Sequence, residues 1–317
     1  MKTLSTALIT LLTILLLPTQ SLADWKRTET TLAWTDDTTT LWQFSFDPAK
    51  GKPFFHPLAP AGKPSLTNFR PADHPWHYAL WFSWKYIDHP QSQNHINYWE
   101  ENSDGKAQGR TRWEPPSIET QSDGSATIRM NLSYIHPSGK TALTEQRDLA
   151  VSTPAPDGSY TIHWTATFTA ADEDLVLDRT PMPNDPRGQV NGGYAGLSAR
   201  MAPLPATMSV ITTSGPIEPF TRNRARPKAS AVACNFTLNS QDLGSLTFCS
   251  HPDNTTETAD WYIIDSQAMP FICQAILAPE PKAVPAKSSF TLRYQITVSP
   301  TATSPAQLQQ ILQSFNP

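Results

Sequence analysis

Charged side chains are scarce in this sequence. Only 16% of its 317 residues are Asp, Glu, Lys or Arg, and the formal net charge at pH 7 is −4. The largest basic run spans residues 222–228 and is typical of a solvated loop. Proteins that bind nucleic acid carry clustered Lys and Arg that neutralise phosphates. The composition therefore excludes nucleic acid as an expected partner.

Cysteine is also rare, and its count is odd. The sequence has three, at Cys234, Cys249 and Cys273. In an oxidising compartment this allows one disulfide and one free thiol, and three unpaired thiols fit equally well. Cys234 and Cys249 flank a predicted hairpin with its turn at residues 239–244. Because side chains alternate along a strand, the two should point to opposite faces, which argues against a bond between them.

Long apolar runs are almost absent, apart from residues 4–17. Lys2 precedes that run, and the small-x-small motif Ser21-Leu22-Ala23 follows it, as in a secretory signal peptide. The run is too short for a confident membrane span, and no second one follows. We expect residues 1–23 to be removed near Ala23. The mature chain is predicted to be secreted or periplasmic, with no membrane span.

Helical periodicity is rare as well, and 30 prolines disfavour long helices. Runs rich in β-branched and aromatic residues are instead separated by short turns, which predicts one all-β domain over residues 24–317, a large antiparallel β-sandwich. The predicted strands cover residues 31–34, 41–46, 126–134, 141–151, 160–168, 208–212, 231–238, 245–249, 261–264, 271–277 and 290–298.

A short C-terminal helix is predicted over about residues 304–315. Ser304 is a good N-cap, Pro305 suits the first helical position, and Gln307 completes a capping box. The apolar residues that follow recur at helical spacing. This helix should pack on the outside of the sandwich.

Residues 73–84 combine an acid, two histidines and several aromatic residues. An extended strand over residues 76–87 would place a set of apolar and aromatic residues on a core face: Trp76, Tyr78, Leu80, Phe82, Trp84 and Tyr86. The other face would carry His77 and Trp81 and line a cleft, with Asp73 and His74 at its rim. The alternative interpretation is an ordinary central strand with a structural histidine at its edge.

Other polar residues are candidates for the same cleft, although each alone is more typical of a turn or a solvated position. The predicted catalytic residues are His56, Asp73, His74, His77 and Glu145. The predicted substrate-binding residues are Arg70, Trp81, Trp99, Glu100, Arg147 and His251. A divalent metal is possible but not required, with His56, His74, His77 and His251 as candidate ligands. The H-x-x-H spacing of His74 and His77 suits a metal only if a turn at Pro75 brings the two side chains together.

The chain resembles the secreted PmoA-like family, labelled "methane oxygenase PmoA". The similarity rests on Phe55-His56-Pro57-Leu58, Asp73-His74-Pro75-Trp76-His77-x-x-Leu80-Trp81-Phe82, Asn97-Tyr98-Trp99-Glu100, Leu143-Thr144-Glu145, the strand region of residues 167–178 and His251-Pro252-Asp253-Asn254. The resemblance implies an exported all-β protein with a sandwich similar to those of sugar mutarotases and lyases, either a supersandwich or a jelly roll. It also implies a place in polysaccharide degradation. Trp76, Tyr78 and Ala79 stand where the family has His, Arg and Gly, which argues against any role that needs the extra His or the guanidinium.

Three functions remain open at this point. The first is a carbohydrate-active enzyme acting on an oligo- or polysaccharide, as a lyase using His74 or His77 as base, or as a hydrolase using Asp73 and Glu145. The second is a non-catalytic sugar-binding protein whose tryptophans stack on sugars. The third is a metal-dependent oxidoreductase with histidine ligands.

Overall fold

The computed structural model describes residues 24–36, 39–92, 94–101, 108–218, 220–255 and 258–315. The predicted signal peptide lies outside the described residues. Within them, the chain forms twenty-two strands and one α-helix. In chain order these are β1 (Asp24–Arg27), β2 (Thr31–Thr35), β3 (Thr40–Ser45), β4 (Phe54–Leu58), β5 (Leu80–Ser83), β6 (Tyr86–Asp88), β7 (Arg110–Trp113), β8 (Ser117–Thr120), β9 (Ala126–Ile135), β10 (Thr141–Val151), β11 (Tyr160–Ala170), β12 (Leu175–Asp178), β13 (Gly196–Arg200), β14 (Thr207–Thr212), β15 (Gly215–Pro216), β16 (Arg224–Ala225), β17 (Ala231–Leu238), β18 (Gln241–Ser250), β19 (Trp261–Ile264), β20 (Phe271–Gln274), β21 (Lys282–Val284), β22 (Ser289–Ser299) and α1 (Pro305–Phe315).

Two large antiparallel sheets contain most of these strands. The nine-stranded sheet has the order β1-β2-β3-β4-β5-β13-β20-β19-β16, and the ten-stranded sheet has the order β15-β14-β17-β18-β22-β11-β10-β9-β7. Strand β8 pairs with β9, and a small third sheet has the order β21-β12-β6. The all-β antiparallel prediction is confirmed. Apart from the strand predicted to begin at Trp76, each predicted strand corresponds to an observed one with ends shifted by a few residues.

The two large sheets enclose an aromatic core. Along β9, β10 and β11, buried and more exposed side chains alternate, as expected for strands with one face on a core. Phe55 of β4 lies 6.4 Å from Trp164 of β11, and Phe82 of β5 lies 5.2 Å from Phe168 of β11, measured between ring centroids. These contacts cross between the sheets and make the fold a sandwich.

The predicted hairpin is formed by β17 and β18. Its two-residue turn is Asn239-Ser240, where both residues have positive φ, of 50° and 63°, as a type I′ turn requires. Cys234 belongs to the inter-sheet core, whereas Cys249 faces outward beneath α1. All three cysteines are buried and unpaired, so of the two open alternatives the structure has three free thiols.

The C-terminal helix α1 has the predicted capping box. The Ser304 N–H donates to Gln307 Oε1 at 2.9 Å, and the Gln307 N–H donates to Ser304 Oγ at 3.3 Å. Leu308 is fully buried against Ala231, Ala233 and Cys249 on the outer face of the ten-stranded sheet. No helix in the described part of the chain is long and apolar enough to cross a membrane.

Candidate active site

A second aromatic cluster covers the opposite face of the nine-stranded sheet, pointing away from the inter-sheet core. Its buried members include Phe54, Tyr78, Trp81, Trp99 and Phe271. They come from β4, β5, β20 and the connecting segments, so the cluster sits over the middle of the sheet. The loop that carries the Asp-His segment lies above it.

That loop closes on itself by backbone hydrogen bonds. The Arg70 N–H donates to the His77 carbonyl at 2.9 Å, and the His77 N–H donates to the His74 carbonyl at 2.9 Å. The second bond closes a turn at Pro75 and brings the two imidazole rings to 4.7 Å between centroids. The condition placed on the H-x-x-H pair, a turn at Pro75, is met.

The Asp73 carboxylate lies between a guanidinium and an imidazole. Arg200 Nη2 donates to both carboxylate oxygens at 3.1 and 3.0 Å, and His74 Nδ1 lies 2.9 Å from Oδ2. Because a carboxylate only accepts, Nδ1 carries a proton, and Nε2 is the basic nitrogen of neutral His74. Partial burial opposes it, but hydrogen bonds from Arg200 and His74 lower the pKa of Asp73. We call these three residues the Arg–Asp–His chain.

Arg200 anchors this chain firmly. It is the last residue of β13, its side chain is 1% exposed, and its Nη2 also donates to the Ala268 carbonyl at 2.9 Å. Its backbone N–H donates to the Ala79 carbonyl at 2.7 Å, which ties β13 to the end of the loop. The sheet therefore fixes the orientation of Asp73, and Asp73 fixes that of His74.

His77 is a neutral imidazole in a buried position. Its ring stacks on Phe271 at 5.1 Å and lies 5.2 Å from Trp81. Burial, with smaller contributions from the charges of His74, Arg200 and Lys52, holds the pKa of His77 well below its usual range. Within the described residues its Nδ1 is buried without a hydrogen-bond partner. An unpaired buried polar atom is costly, which makes it a candidate contact for a ligand.

His74 and His77 open into a cavity of about 280 Å³, here called the aromatic cavity. Its volume is at the small end of the range for ligand pockets, about 300–1,000 Å³. Its aromatic lining consists of Trp76, Trp99, Tyr194, Tyr262 and Phe271. Its polar lining consists of His74, His77, Glu100, Asn191 and Arg224. Flat rings with a few polar groups suit a ligand that has both apolar faces and hydroxyls.

Glu100 is the one carboxylate among the described residues that line the aromatic cavity. Its Oε1 lies 3.3 Å from the buried Lys85 ammonium, and its Oε2 accepts from Asn97 Nδ2. Behind it, Lys52 Nζ donates to the Trp99 carbonyl at 2.8 Å, and burial lowers the pKa of Lys52 to about 8. These contacts fix Trp99 and Glu100 and balance the carboxylate charge.

The predicted strand over residues 76–87 is wrong at its start, because β5 begins only at Leu80. Ala79 has φ of 62°, in the left-handed region that residues other than glycine rarely adopt, and the alternation breaks there. Trp84 lies in the inter-sheet core as predicted. Trp76, predicted as core, instead lines the aromatic cavity, and Trp81, predicted to line it, lies fully buried behind His77.

His56 and Arg70 lie near the cluster without lining the cavity. The His56 ring is half-buried, hydrogen-bonds Thr67 Oγ1 at 3.0 Å and stacks on Phe69. The exposed Arg70 donates from Nε to the Pro75 carbonyl at 3.0 Å. Both residues therefore support the loop, and neither lines the aromatic cavity.

Glu145 and Arg147 do not reach the aromatic cavity. They lie on β10 with side chains in the inter-sheet core, 1% exposed each. Arg147 Nε and Nη2 donate to the two Glu145 oxygens at 2.6 and 2.9 Å, and Tyr134 Oη donates to Glu145 at 2.7 Å. The Arg147 guanidinium also lies 4.6 Å from the Trp164 ring centre. This enclosed ion pair has no access to a substrate, so the predicted roles of both residues are not supported.

His251 lies at another place in the fold. It follows β18 in the ten-stranded sheet, accepts from the Asp253 N–H and contacts Phe315 of α1. His251 therefore caps a turn beside the C-terminal helix. The four histidines proposed as metal ligands do not meet in one place. Among the described residues, the group of His, Cys, Asp or Glu ligand atoms close enough for a metal is Asp88, His95 and Asp178, outside the aromatic cavity.

A larger cavity, of about 670 Å³, is not the better candidate. Its lining includes His89, His136, Lys140 and Glu173 at one edge of the sandwich. None of its described lining residues is Phe, Tyr or Trp. His89 Nε2 lies 2.8 Å from a Glu173 oxygen, and His136 Nδ1 lies 2.8 Å from Ser138 Oγ. Its polar groups are thus paired with one another, unlike His77 in the aromatic cavity.

Sequence reasoning missed three residues of the cavity lining and the arginine that holds Asp73. Arg224 belongs to β16, Tyr262 to β19, Tyr194 to the segment before β13 and Arg200 to β13, and none was a candidate. The basic run at residues 222–228 was interpreted as a solvated loop, which is wrong for the half-buried Arg224 and Arg226. The sequence holds one local indication of this site. Arg200 ends a short, otherwise uncharged strand, and a buried arginine there needs an acidic partner.

The sequence belongs to the family of unknown function DUF6807, whose model matches residues 31–313. The resemblance to the PmoA-like family is wrong, because the match is to DUF6807 and nothing points to a PmoA-like family. Among curated proteins, none matches this chain.

One solved structure shares the fold, and others resemble it more weakly. The alpha-galactosidase from Lactobacillus brevis aligns with 93% of this chain at 12% identity and a TM-score of 0.50. The chain spans only 41% of that protein's length. The GH36 alpha-galactosidase AgaA from Geobacillus stearothermophilus has 9% identity and a TM-score of 0.44, with 89% of this chain and 41% of that one covered. A putative aldose 1-epimerase from Klebsiella pneumoniae has 9% identity and a TM-score of 0.42. The alignment covers 90% of this chain and 83% of the epimerase. At 12% identity, the likeness to the Lactobacillus brevis enzyme is one of fold alone.

Proposed function

We propose that this protein is a carbohydrate-active enzyme in which the aromatic cavity binds a saccharide and His74 moves a proton on it. The observation that carries the proposal is the Arg–Asp–His chain ending in that cavity. Asp73 holds the Nδ1 proton of His74, so Nε2 is available as a base, as in other carboxylate-oriented imidazoles. The aromatic rings supply surfaces on which the faces of a sugar ring pack.

Lyase chemistry fits these residues better than hydrolysis by two carboxylates. The hydrolase mechanism needs one carboxyl group on each side of the scissile bond, about 5–10 Å apart. Of the two acids first considered for that role, Glu145 is enclosed in the core, and Asp73 is engaged by Arg200 and His74. Glu100 is neutralised by Lys85. Imidazoles are therefore the better proton-transfer groups here.

In the proposed elimination, His74 Nε2 takes the proton from the sugar carbon next to a carboxyl group. The electron pair of that C–H bond forms a carbon–carbon double bond, and the neighbouring carbon–oxygen bond to the next sugar breaks. The leaving oxygen takes a proton from a neutral acid. Tyr194 is the candidate for this role because it lines the cavity and its phenol, whose pKa is raised by burial and then by the Glu100 charge, is protonated. The proton taken by His74 then returns to the tyrosinate, which restores both groups. No water or oxidant enters the balance.

The test is a panel of neutral and uronate-containing oligosaccharides incubated with the protein, with products identified by mass spectrometry and by the absorbance of the new double bond. We expect turnover by wild type and a loss of about 10²- to 10⁴-fold in His74→Ala, the usual contribution of a general base. His89→Ala is the matched control, because His89 also pairs with an acid, Glu173 at 2.8 Å, outside the aromatic cavity. Equal rates in wild type and His74→Ala would contradict the proposal.

Non-catalytic sugar binding is the second candidate, favoured by one observation. Five of the residues lining the aromatic cavity are Trp, Tyr or Phe, which bind sugars without chemistry. The same panel separates the two. Saccharide binding seen by ligand-observed NMR, with no product of any mass, would support this second function over the first.

A further inference from the structure

Two arginines beside the aromatic cavity form no ion pair with an acid in the described part of the chain. Arg224 and Arg226 flank Ala225 on and just after β16, and both are half-buried. Within the described residues, neither lies within ion-pair distance of a carboxylate. The other described arginines that are at least partly buried, Arg147, Arg179, Arg200 and Arg293, each have one. Withdrawing a cation from water without an anion is unfavourable, so this pair requires an explanation.

Arg224 is held in a fixed direction on the cavity wall. Its Nε donates to Tyr262 Oη at 3.1 Å, and its Nη1 donates to the Arg222 carbonyl at 3.0 Å. Neither bond uses Nη2, and Arg224 is among the residues that line the cavity. Tyr262 is itself 2% exposed and lines the same wall. A guanidinium fixed in this way is prepared for an anion, because its planar fork matches a carboxylate.

Arg226 supports that wall from behind. Its guanidinium lies 4.2 Å from the centre of the Tyr262 ring, and its Nη2 donates to the Gly192 carbonyl at 2.7 Å and the Val190 carbonyl at 3.2 Å. Residues 190 and 191 line the cavity, so Arg226 fixes both Tyr262 and this part of the rim. Arg226 does not line the cavity, but its positive charge lies behind the wall and adds to the positive potential there.

The other charges around the cavity are balanced in pairs. Glu100 faces Lys85 at 3.3 Å, and Asp73 faces Arg200 at 3.0 Å. Lys52 lies behind Glu100 and interacts with the charges of Glu100 and Glu101, and Arg226 interacts with the charge of Asp260. The cation left on the cavity lining without an ion pair among the described residues is therefore Arg224. The part of the cavity wall that Arg224 forms therefore attracts an anion, although the whole chain carries a net charge of −4.

We propose that Arg224 binds the carboxylate of a uronic acid residue, so that the substrate is an acidic saccharide and not a neutral one. This rests on the proposed function and names its substrate class. The same contact would stabilise the negative charge that spreads onto the carboxylate as His74 removes the neighbouring proton. Arg224 is thus a substrate-binding residue, and Tyr262 is a positioning residue that orients its guanidinium.

The test compares matched pairs of probes. Trimers of galacturonate, glucuronate and mannuronate are titrated by calorimetry, beside the same trimers with each carboxyl reduced to the alcohol. For at least one sugar, we expect wild type to bind the acid form at least about tenfold more tightly. Arg224→Gln should lose that preference while keeping its affinity for the reduced form. Arg224→Lys should retain part of it, because the charge stays but the fork is lost.

Two further variants make the test specific. Tyr262→Phe removes the hydroxyl that accepts from Arg224 and should reduce the preference for the acid form by several-fold, without altering binding of the reduced trimer. Arg129→Gln is the control, because Arg129 is a largely exposed arginine of the ten-stranded sheet that pairs with Glu119 and Asp148. It should bind as wild type does. Melting curves establish that each variant is folded.

The outcomes separate this inference from the function on which it rests. Equal affinity for acid and reduced trimers, or a preference for a sulfated neutral trimer, would overturn the uronate assignment. If a neutral saccharide is turned over and His74→Ala abolishes that turnover, the enzyme assignment stands and the uronate assignment fails. If no saccharide of either kind binds, both fail.

Discussion

The two faces of the nine-stranded sheet carry two aromatic clusters that treat charge in opposite ways. In the inter-sheet core, Glu145 is enclosed by Arg147 and Tyr134. On the outer face, Asp73 accepts hydrogen bonds from Arg200 and also from His74, which lines a cavity. Burial alone therefore does not identify a functional acid. The Glu145–Arg147 ion pair is buried and has no access to a cavity. The imidazole of His74, which Asp73 orients, lines the aromatic cavity.

The largest effect should come from breaking the Glu145–Arg147 ion pair. Glu145→Ala leaves the Arg147 guanidinium buried without its anion, which costs about 3–5 kcal/mol. We expect this loss in the free energy of unfolding, measured with urea. Glu119→Ala removes an exposed partner of Arg129 and should cost less than about 1 kcal/mol. A similar, small loss in both variants would contradict the contrast between enclosed and exposed pairs.

Breaking the Arg–Asp–His chain should instead affect activity. Asp73→Asn keeps an acceptor for Arg200 but removes the charge that orients the His74 proton, so we expect the rate to fall by about 10²- to 10³-fold, or ~3–4 kcal/mol. The free energy of unfolding should change by much less than in Glu145→Ala. Glu173→Gln, which alters the equivalent partner of His89, serves as control. A destabilised Asp73→Asn with full activity when folded would show that the chain is structural.

Removing one aromatic wall should weaken binding moderately. Trp76→Ala should lose about 1.5 kcal/mol of saccharide affinity if a sugar ring covers on the order of 60 Å² of the indole at about 25 cal/mol per Å². Trp113→Ala truncates another partly buried tryptophan, whose Nε1 donates to the Phe46 carbonyl away from this cavity. Calorimetry should show unchanged affinity in the control. An equal loss in both would indicate a general packing defect.

The neutral state of His77 predicts a pH dependence of stability. Its folded-state pKa is lowered, so below about pH 6.5 the unfolded chain takes up a proton that the folded protein does not. Stability should therefore fall as the pH falls, by up to about 1.4 kcal/mol per pH unit from this residue. Urea unfolding of wild type and His77→Gln at pH 7, 6 and 5 measures the difference. A parallel decline in both proteins would mean that His77 is not held neutral.

Local patterns predicted the parts of the structure that depend on local physics. The capping box at Ser304 and Gln307, the alternation in β9 to β11 and the hairpin of β17 and β18 are all set by neighbours in the chain. The pairing of His74 with His77 also follows from a local turn. The same alternation places Glu145 and Arg147 on one face with Leu143 and Leu149, which is consistent with their burial.

Local sequence patterns could not predict the residues that distant strands bring to the site. Arg200, Arg224 and Tyr262 reach the site because β5 pairs with β13, β13 with β20, and β16 with β19. These pairings join segments more than a hundred residues apart in the case of β5 and β13, and no local pattern specifies their register. Ala79 was missed for another reason, since its left-handed backbone is imposed by the surrounding structure and not by alanine itself.

The central claim is that His74, oriented by Asp73, moves the proton in the aromatic cavity. Its most direct test is the initial rate of unsaturated-product formation from the best uronate trimer, compared between wild type, His74→Ala and His89→Ala. The account predicts product from wild type and His89→Ala at similar rates, and a rate at least about 10²-fold lower from His74→Ala. Equal rates from wild type and His74→Ala, or no product from any of the three, would contradict it.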